Sequence, residues 1–393
     1  MITQSAPANE LTPLEQAVLT EPRKRTITFG LPSGLEHGER RFALTPEGAA
    51  RLTDCGIAVK IQRGAGEPIH YSDAAYERAG ATLCSRAEAL QAEVVISTAA
   101  LSAGEAATLR RGTLLLTLLQ PVVGNPLAAK ALLRAGVNVV AADLINTDGH
   151  RLIADILHEI DGCASMAIAS AMLTDPIHGK GILLGGVTGI VPCEVTVIGS
   201  GMGAIAAAHN ALGAGATVRM FDNDLYSLRS AGRVLDHRCI ASALHPKVLR
   251  SALRSADVVV VTPMRTPTVV DSDIADEMKK RVLIFDLTST PGATFPSIPV
   301  IDLSAPSVST LAAGDARACY CNVGNRVPRT AAMALSNALV GNADALRQTL
   351  GSLADLPRPM RPAMLTYWGK CVNPRLAEAL GIRALDINLL TGN

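Results

Sequence analysis

The chain has almost no net charge, since 36 Lys and Arg stand against 35 Asp and Glu to give +1 at pH 7. A balance this even leaves no electrostatic footprint for nucleic acid or an anionic membrane, so small molecules are the expected partners. Also missing is any apolar run of the roughly 18–20 residues that a membrane span needs. The N-terminal stretch lacks the basic-then-apolar order of a secretory signal, and a cytoplasmic location is expected. The 8 cysteines are scattered, with no C-x-x-C and no clustered Cys/His ligand spacing. Buried reduced thiols are therefore expected, with Cys319 and Cys321 on one face of one strand, and no metal.

What is present is a long apolar chain of 393 residues, 48% hydrophobic, enough to bury two cores. From residue 26 onward, short apolar runs alternate with helical patterns: strands at 26–31, 58–62, 94–97, 113–119 and 138–142, helices at 46–55, 73–79 and 126–135. Such alternation predicts an α/β fold with a mostly parallel sheet covered on both faces. A helical pattern over 156–173 bridges to a second α/β unit with strands at 216–221, 257–262, 282–286 and 318–323. The expected architecture is two Rossmann-like doubly wound domains with a cleft between them. Residues 1–155 with 330–393 form the substrate domain, and 156–329 the nucleotide domain. The tail, with helices at 330–340, 343–350 and 374–380 and a proline-rich turn at 357–362, is too short to stand alone and is expected to pack on the first domain or the cleft. In the N-terminal arm, Thr12-Pro13-Leu14-Glu15 has the form of a capping box and predicts a short helix.

The most informative stretch is Val195-Thr-Val-Ile-Gly-Ser-Gly-Met-Gly-Ala204, followed by small helix formers and a strand ending in Asp222. Gly199 suits a sharp turn out of the strand, and Gly201 lets the backbone approach a pyrophosphate. Met202 and Gly203 begin the helix whose N–H groups would hold it. Asp222 stands 23 residues after Gly199, where a carboxylate accepts both ribose hydroxyls and repels a 2′-phosphate, favouring NAD. A tight turn in some other α/β protein is the plainer reading of the glycines alone.

The chain resembles the alanine dehydrogenase and pyridine-nucleotide transhydrogenase α-subunit family. The resemblance rests on Glu39-Arg40-Arg41-Phe42-Ala43-Leu44-Thr45-Pro46, on Gly64-Ala65-Gly66, on 76–81, on the glycine-rich stretch 179–189, and on 322–330. It implies NAD in the second domain, a substrate cleft between the two, and dimers or hexamers. Arg41 looks like the family's arginine that clamps the substrate carboxylate, a task suited to a planar guanidinium. Pairing or capping at the start of the 46–55 helix is its alternative. Asn322 looks like the family's asparagine near the nicotinamide, or is simply a polar turn residue.

Three family positions are altered. Ser97-Thr98-Ala99-Ala100-Leu101 stands where alanine dehydrogenases carry a substrate-holding lysine, Gln120 replaces a histidine active in proton transfer, and Thr290 replaces an aspartate. Glutamine forms hydrogen bonds but does not titrate. His158 and Glu159 on the bridging helix and Asp286 at a strand end are the candidate replacements, with a structural histidine the plainer reading of His158. The expected function is NAD-dependent hydride transfer at a C–N centre of a carboxylate-bearing substrate other than alanine, as an amino acid dehydrogenase or imine reductase. The alternatives are a non-catalytic NAD(H)-binding regulatory protein and a soluble transhydrogenase component.

Overall fold

Short runs of Val, Ile and Leu bounded by glycine turns form two sheets in the computed structural model, which describes residues 27–304, 316–341 and 358–391. The predicted helices at 12–15 and 343–350 lie outside the described residues, as does part of the 357–362 turn.

The first sheet is built from β1 (Thr28–Leu31), β2 (Ala58–Gln62), β3 (Thr82–Cys84), β4 (Val94–Ile96), β5 (Leu114–Thr117) and β6 (Asn138–Ala141), all parallel. The second contains β7 (Glu194–Ile198), β8 (Thr217–Phe221), β9 (Ile240–Ser242), β10 (Val258–Val261), β11 (Leu283–Asp286), β12 (Val300–Asp302) and β13 (Ala318–Cys321) in the order β12-β13-β11-β10-β7-β8-β9. The order reverses between β7 and β10, which is where doubly wound sheets bind nucleotides. Residues 364–371 then return to the first sheet. They add β14 (Met364–Tyr367) and β15 (Lys370–Cys371) antiparallel beside β6 and complete eight strands.

Central strands such as β5, β6, β10 and β11 are buried at every position, the pattern of a sheet covered on both faces. The strands absent from the sequence reading, β3, β9, β12, β14 and β15, include all four sheet edges. Each has at most four residues, too few to show a period.

The bridging helix runs Leu152–Thr174, starting four residues before the expected 156 because Leu152 and Ile153 extend its apolar pattern. By length and mean hydropathy of 1.2 it would suffice for a membrane span, yet half of that window is buried inside the protein. It packs on the helix Met202–Gly213, and glycines permit the approach: a Cβ at Gly162 would lie 2.3 Å from the Gly203 carbonyl oxygen. Cys319 and Cys321 are buried, and burial pushes both thiols up to about 12.

The helix Pro328–Gly341 leaves the second sheet and packs on the first-sheet helix Pro46–Asp54. There the Thr45 amide donates to Ser336 Oγ at 3.2 Å, and Thr45 Oγ1 caps the helix by accepting from the Gly48 amide.

Gly162→Ala is expected to lower stability by about 1–3 kcal/mol, because the backbones must part to admit a methyl group. Urea unfolding checks this, and an unchanged midpoint would show that the two helices are free to separate.

Candidate active site

The nucleotide turn leaves β7 at Gly199, whose φ of +109° is closed to side chains in practice and where a Cβ would sit 2.0 Å from Thr262 Oγ1. Gly201 follows as the N-cap of the Met202–Gly213 helix, and a Cβ there would meet nothing within 4 Å. No side-chain hydrogen bond caps this helix, which leaves its first amides without a capping partner. Met202 is exposed, whereas Gly203 is buried against the bridging helix, a Cβ on it falling 3.0 Å from the His158 carbonyl oxygen. Asp222 lies buried just beyond β8, where Ser200 Oγ donates to its Oδ2 at 2.7 Å and the Asp224 amide to its Oδ1 at 2.9 Å. An open cradle over uncapped helix amides beside a fixed carboxylate fits a dinucleotide.

The loop 33–45 of the first sheet meets the turn after β13. Asn325, buried in the turn after β13, accepts from the Arg40 amide through Oδ1 and donates to the Gly38 carbonyl through Nδ2, both at 2.7 Å. From the other side Thr98 Oγ1 donates to the Arg41 carbonyl at 2.8 Å. Arg41 is thereby fixed, and Glu39 takes one edge of its guanidinium, accepting from Nε at 2.9 Å and Nη2 at 2.6 Å. Burial works against the Arg41 charge, but Glu39 overrides it and the guanidinium titrates above its ordinary range.

One edge of the guanidinium expected to clamp a carboxylate is thus taken by Glu39. Arg41 pairs with a residue two positions away rather than with the helix start, and Glu39 leaves its Nη1 side unengaged.

Asp161, on the bridging helix, comes to the same place. A Cβ on Gly324 would lie 2.2 Å from Asp161 Oδ1 and 3.8 Å from Arg41 Nη1, so both groups border one spot. Burial pushes the Asp161 carboxyl up to about 6, against the pull of Arg41 and of the Gly324 amide that donates to it, while Glu39 pushes it further up. Sequence reasoning passed over Asp161. Its signal is an acid set between Ile160 and Gly162, at the start of the uncharged stretch 162–173 of the helix.

The other candidates are dispersed. Gln120 is exposed on the short helix Leu119–Val123 after β5, and among the described residues no hydrogen bond joins it to Arg41 or Asp161. His158 is half-buried, and desolvation together with Arg151 lowers its pKa, which keeps it neutral. Glu159 is exposed. Asn322 is also exposed, in the left-handed conformation that asparagine tolerates, and donates to Asp302 Oδ2 at 2.8 Å. Asp286 is not a free base: it is buried and accepts from the Thr288 amide and hydroxyl and the Gly292 amide, anchoring its own loop. Thr290 is exposed within that loop.

Two sequence families match: "Alanine dehydrogenase/PNT, N-terminal domain" over residues 30–159 and "Alanine dehydrogenase/PNT, C-terminal domain" over 165–374. An alanine dehydrogenase of Mycobacterium tuberculosis is 30% identical over 370 residues, covering 91% of this chain and 97% of that protein. Among solved structures, an L-alanine dehydrogenase superposes with a TM-score of 0.79 at 22% identity, covering 90% of this chain and 99% of the other. A transhydrogenase from Sinorhizobium meliloti gives 0.70 at 22% identity over 88% and 99%. Likeness at this identity shows the shared two-sheet fold.

Asn325→Ala would leave the Arg40 amide and the Gly38 carbonyl without their buried partner. The expected loss is about 1–3 kcal/mol in urea unfolding, with faster hydrogen exchange at the Arg40 amide. Wild-type exchange at that amide would show that water replaces the side chain at no cost.

Proposed function

Because the chain belongs to the alanine dehydrogenase/PNT family, a pyridine-nucleotide-dependent group, we propose that it is an NAD-dependent oxidoreductase acting at a C–N centre of a carboxylate-bearing substrate. One observation carries this reading. The uncapped glycine turn, with Asp222 beside it, is packed through Gly203 on the same helix whose Asp161 meets Arg41, so cofactor and substrate groups share one support. NAD is preferred to NADP because a 2′-phosphate would face the Asp222 carboxylate. Residues 1–155 with 330–393 serve the substrate, and 156–329 the cofactor.

Alanine itself is disfavoured. At the place of the family's lysine, Ser97 Oγ turns back to the Ala99 carbonyl at 3.0 Å and Thr98 holds the Arg41 backbone, so neither supplies a second cation. A larger amino acid or a preformed imine fits a pocket lacking that charge and the histidine replaced by Gln120. Exposed Ile177, Leu183, Ile190 and Val191 support assembly into a homo-oligomer. A cytoplasmic enzyme of amino acid metabolism is the resulting assignment. A non-catalytic NAD(H)-binding protein is the second reading, favoured by the hold of Glu39 on Arg41.

A panel of amino acids with NAD, and of keto acids and amines with NADH, tests the assignment. Binding of NADH without turnover of any pair would leave the regulatory reading. Arg41→Gln is expected to lower kcat/KM for the carboxylate substrate about 10- to 100-fold at nearly unchanged NADH affinity, as loss of a charge-assisted contact predicts. Equal loss of NADH binding would refute that role. Asp222→Ala is expected to reduce the NAD over NADP preference about 10-fold or more, measured as a ratio of kcat/KM values.

A further inference from the structure

The loop carrying Glu39 and Arg41, the turn at Gly324 and the middle of the bridging helix meet at one point, and their charges do not cancel. Glu39 occupies the Nε and Nη2 edge of Arg41, and Asp161 borders the Nη1 side. With both carboxylates ionised the trio carries one net negative charge. A ligand bringing only a carboxylate to Nη1 meets that excess. A zwitterionic amino acid does not, since its carboxylate reaches Nη1 while its ammonium offsets Asp161.

We propose that Asp161 receives the substrate's amino group and is the base that takes its proton, an assignment that rests on the oxidoreductase reading. In the oxidative direction an N–H bond of the ammonium breaks and its proton goes to the Asp161 carboxylate, leaving the nitrogen a lone pair. The Cα–H bond then breaks, its electron pair leaves as hydride to a nicotinamide, and the nitrogen lone pair closes the C=N bond. The substrate loses two electrons and the nicotinamide gains them. The amine becomes an iminium, and Asp161 returns its proton to water. Reduction of an imine runs the same path backwards, with Asp161 as the acid.

The surroundings suit this task. Asp161 is largely buried and held by the Gly324 amide, so its carboxyl is oriented toward the Arg41 side of the turn. A carboxyl raised to about 6 by burial is ionised at neutral pH, yet basic enough to share a proton with an amine that is being oxidised. Among the described residues, the charged groups on the elements packed on this helix are exposed or already engaged, and Asp155 on the helix itself stands six residues away, beside His158. Arg326 and His209 are exposed, Arg329 lies 4.7 Å over the Tyr71 ring, and Asp143 accepts from the Leu119 amide. On its own helix, His158 is kept neutral and Glu159 is exposed.

Asp161→Asn tests the proposal, because the amide oxygen still accepts from Gly324 but cannot take a proton. With the amino acid panel and NAD, kcat/KM is expected to fall about 100-fold or more. NADH affinity stays within about 2-fold, and the acid limb near pH 6 disappears from the residual kcat/KM profile. A second measurement needs no substrate. The folded state holds the Asp161 proton up to about pH 6 and the unfolded state only to about 3.9, so the contribution of Asp161 to stability falls as pH rises through that window. The Tm of Asp161→Asn should therefore equal that of wild type near pH 4 and exceed it above pH 6. Wild-type turnover in the variant, or a variant less stable than wild type above pH 6, overturns the assignment. A wild type inert to the whole panel, with the Tm pattern as expected, overturns the function on which it rests and the assignment with it.

Discussion

One buried amide joins the two halves of the site. Asn325 bonds at once to the Arg40 amide and the Gly38 carbonyl, so the loop after β1 cannot move without leaving two backbone groups unsatisfied away from water. Arg41 follows from that attachment. Its own carbonyl is held by Thr98, and its guanidinium lies beside Gly324, one residue before the clamp. A side chain on Gly324 would displace Asp161, so the approach of the acid to the arginine depends on a missing Cβ. The second approach that builds the site is of the same kind: Gly162 and Gly203 let the bridging helix lie against the nucleotide helix.

These contacts show how the proposed site stays chemically equipped without the lysine, histidine and aspartate that the family resemblance implies. Gln120 and Thr98 carry no charge, while the acid on the bridging helix adds one where its neighbours are a guanidinium and a backbone amide. A carboxylate placed there has its charged form penalised by burial and only partly restored by Arg41, the balance that gives a group able to move a proton near neutrality. Asp286 has a different role. It is more deeply buried and bound by three donors, and so is spent on shaping a loop.

Much of this was legible beforehand because it is periodic or local. The expected strands and helices at 46–55, 58–62, 94–97, 126–135 and 374–380 lie within a residue of their observed bounds. The glycine turn was readable because Gly199 and Gly203 answer local steric demands. Edge strands of two or three residues were not readable, since no period exists in so short a run. Nor was the pairing of Arg41 with Glu39, which depends on how the loop folds back on itself.

The sequence alone determined the two parallel sheets, the nucleotide turn with Asp222 and the family, because hydrophobic period, glycine spacing and a strand-terminal acid act over a few residues. It also supplied every group of the site without revealing which of them meet. Tertiary structure decided that Arg41 is shared with Glu39, that Asp286 is satisfied by its loop, and that Asp161 reaches Arg41 across more than a hundred residues of chain. The reason is physical: burial and charge pairing set what an ionisable group does, and both are properties of neighbours brought together by the fold.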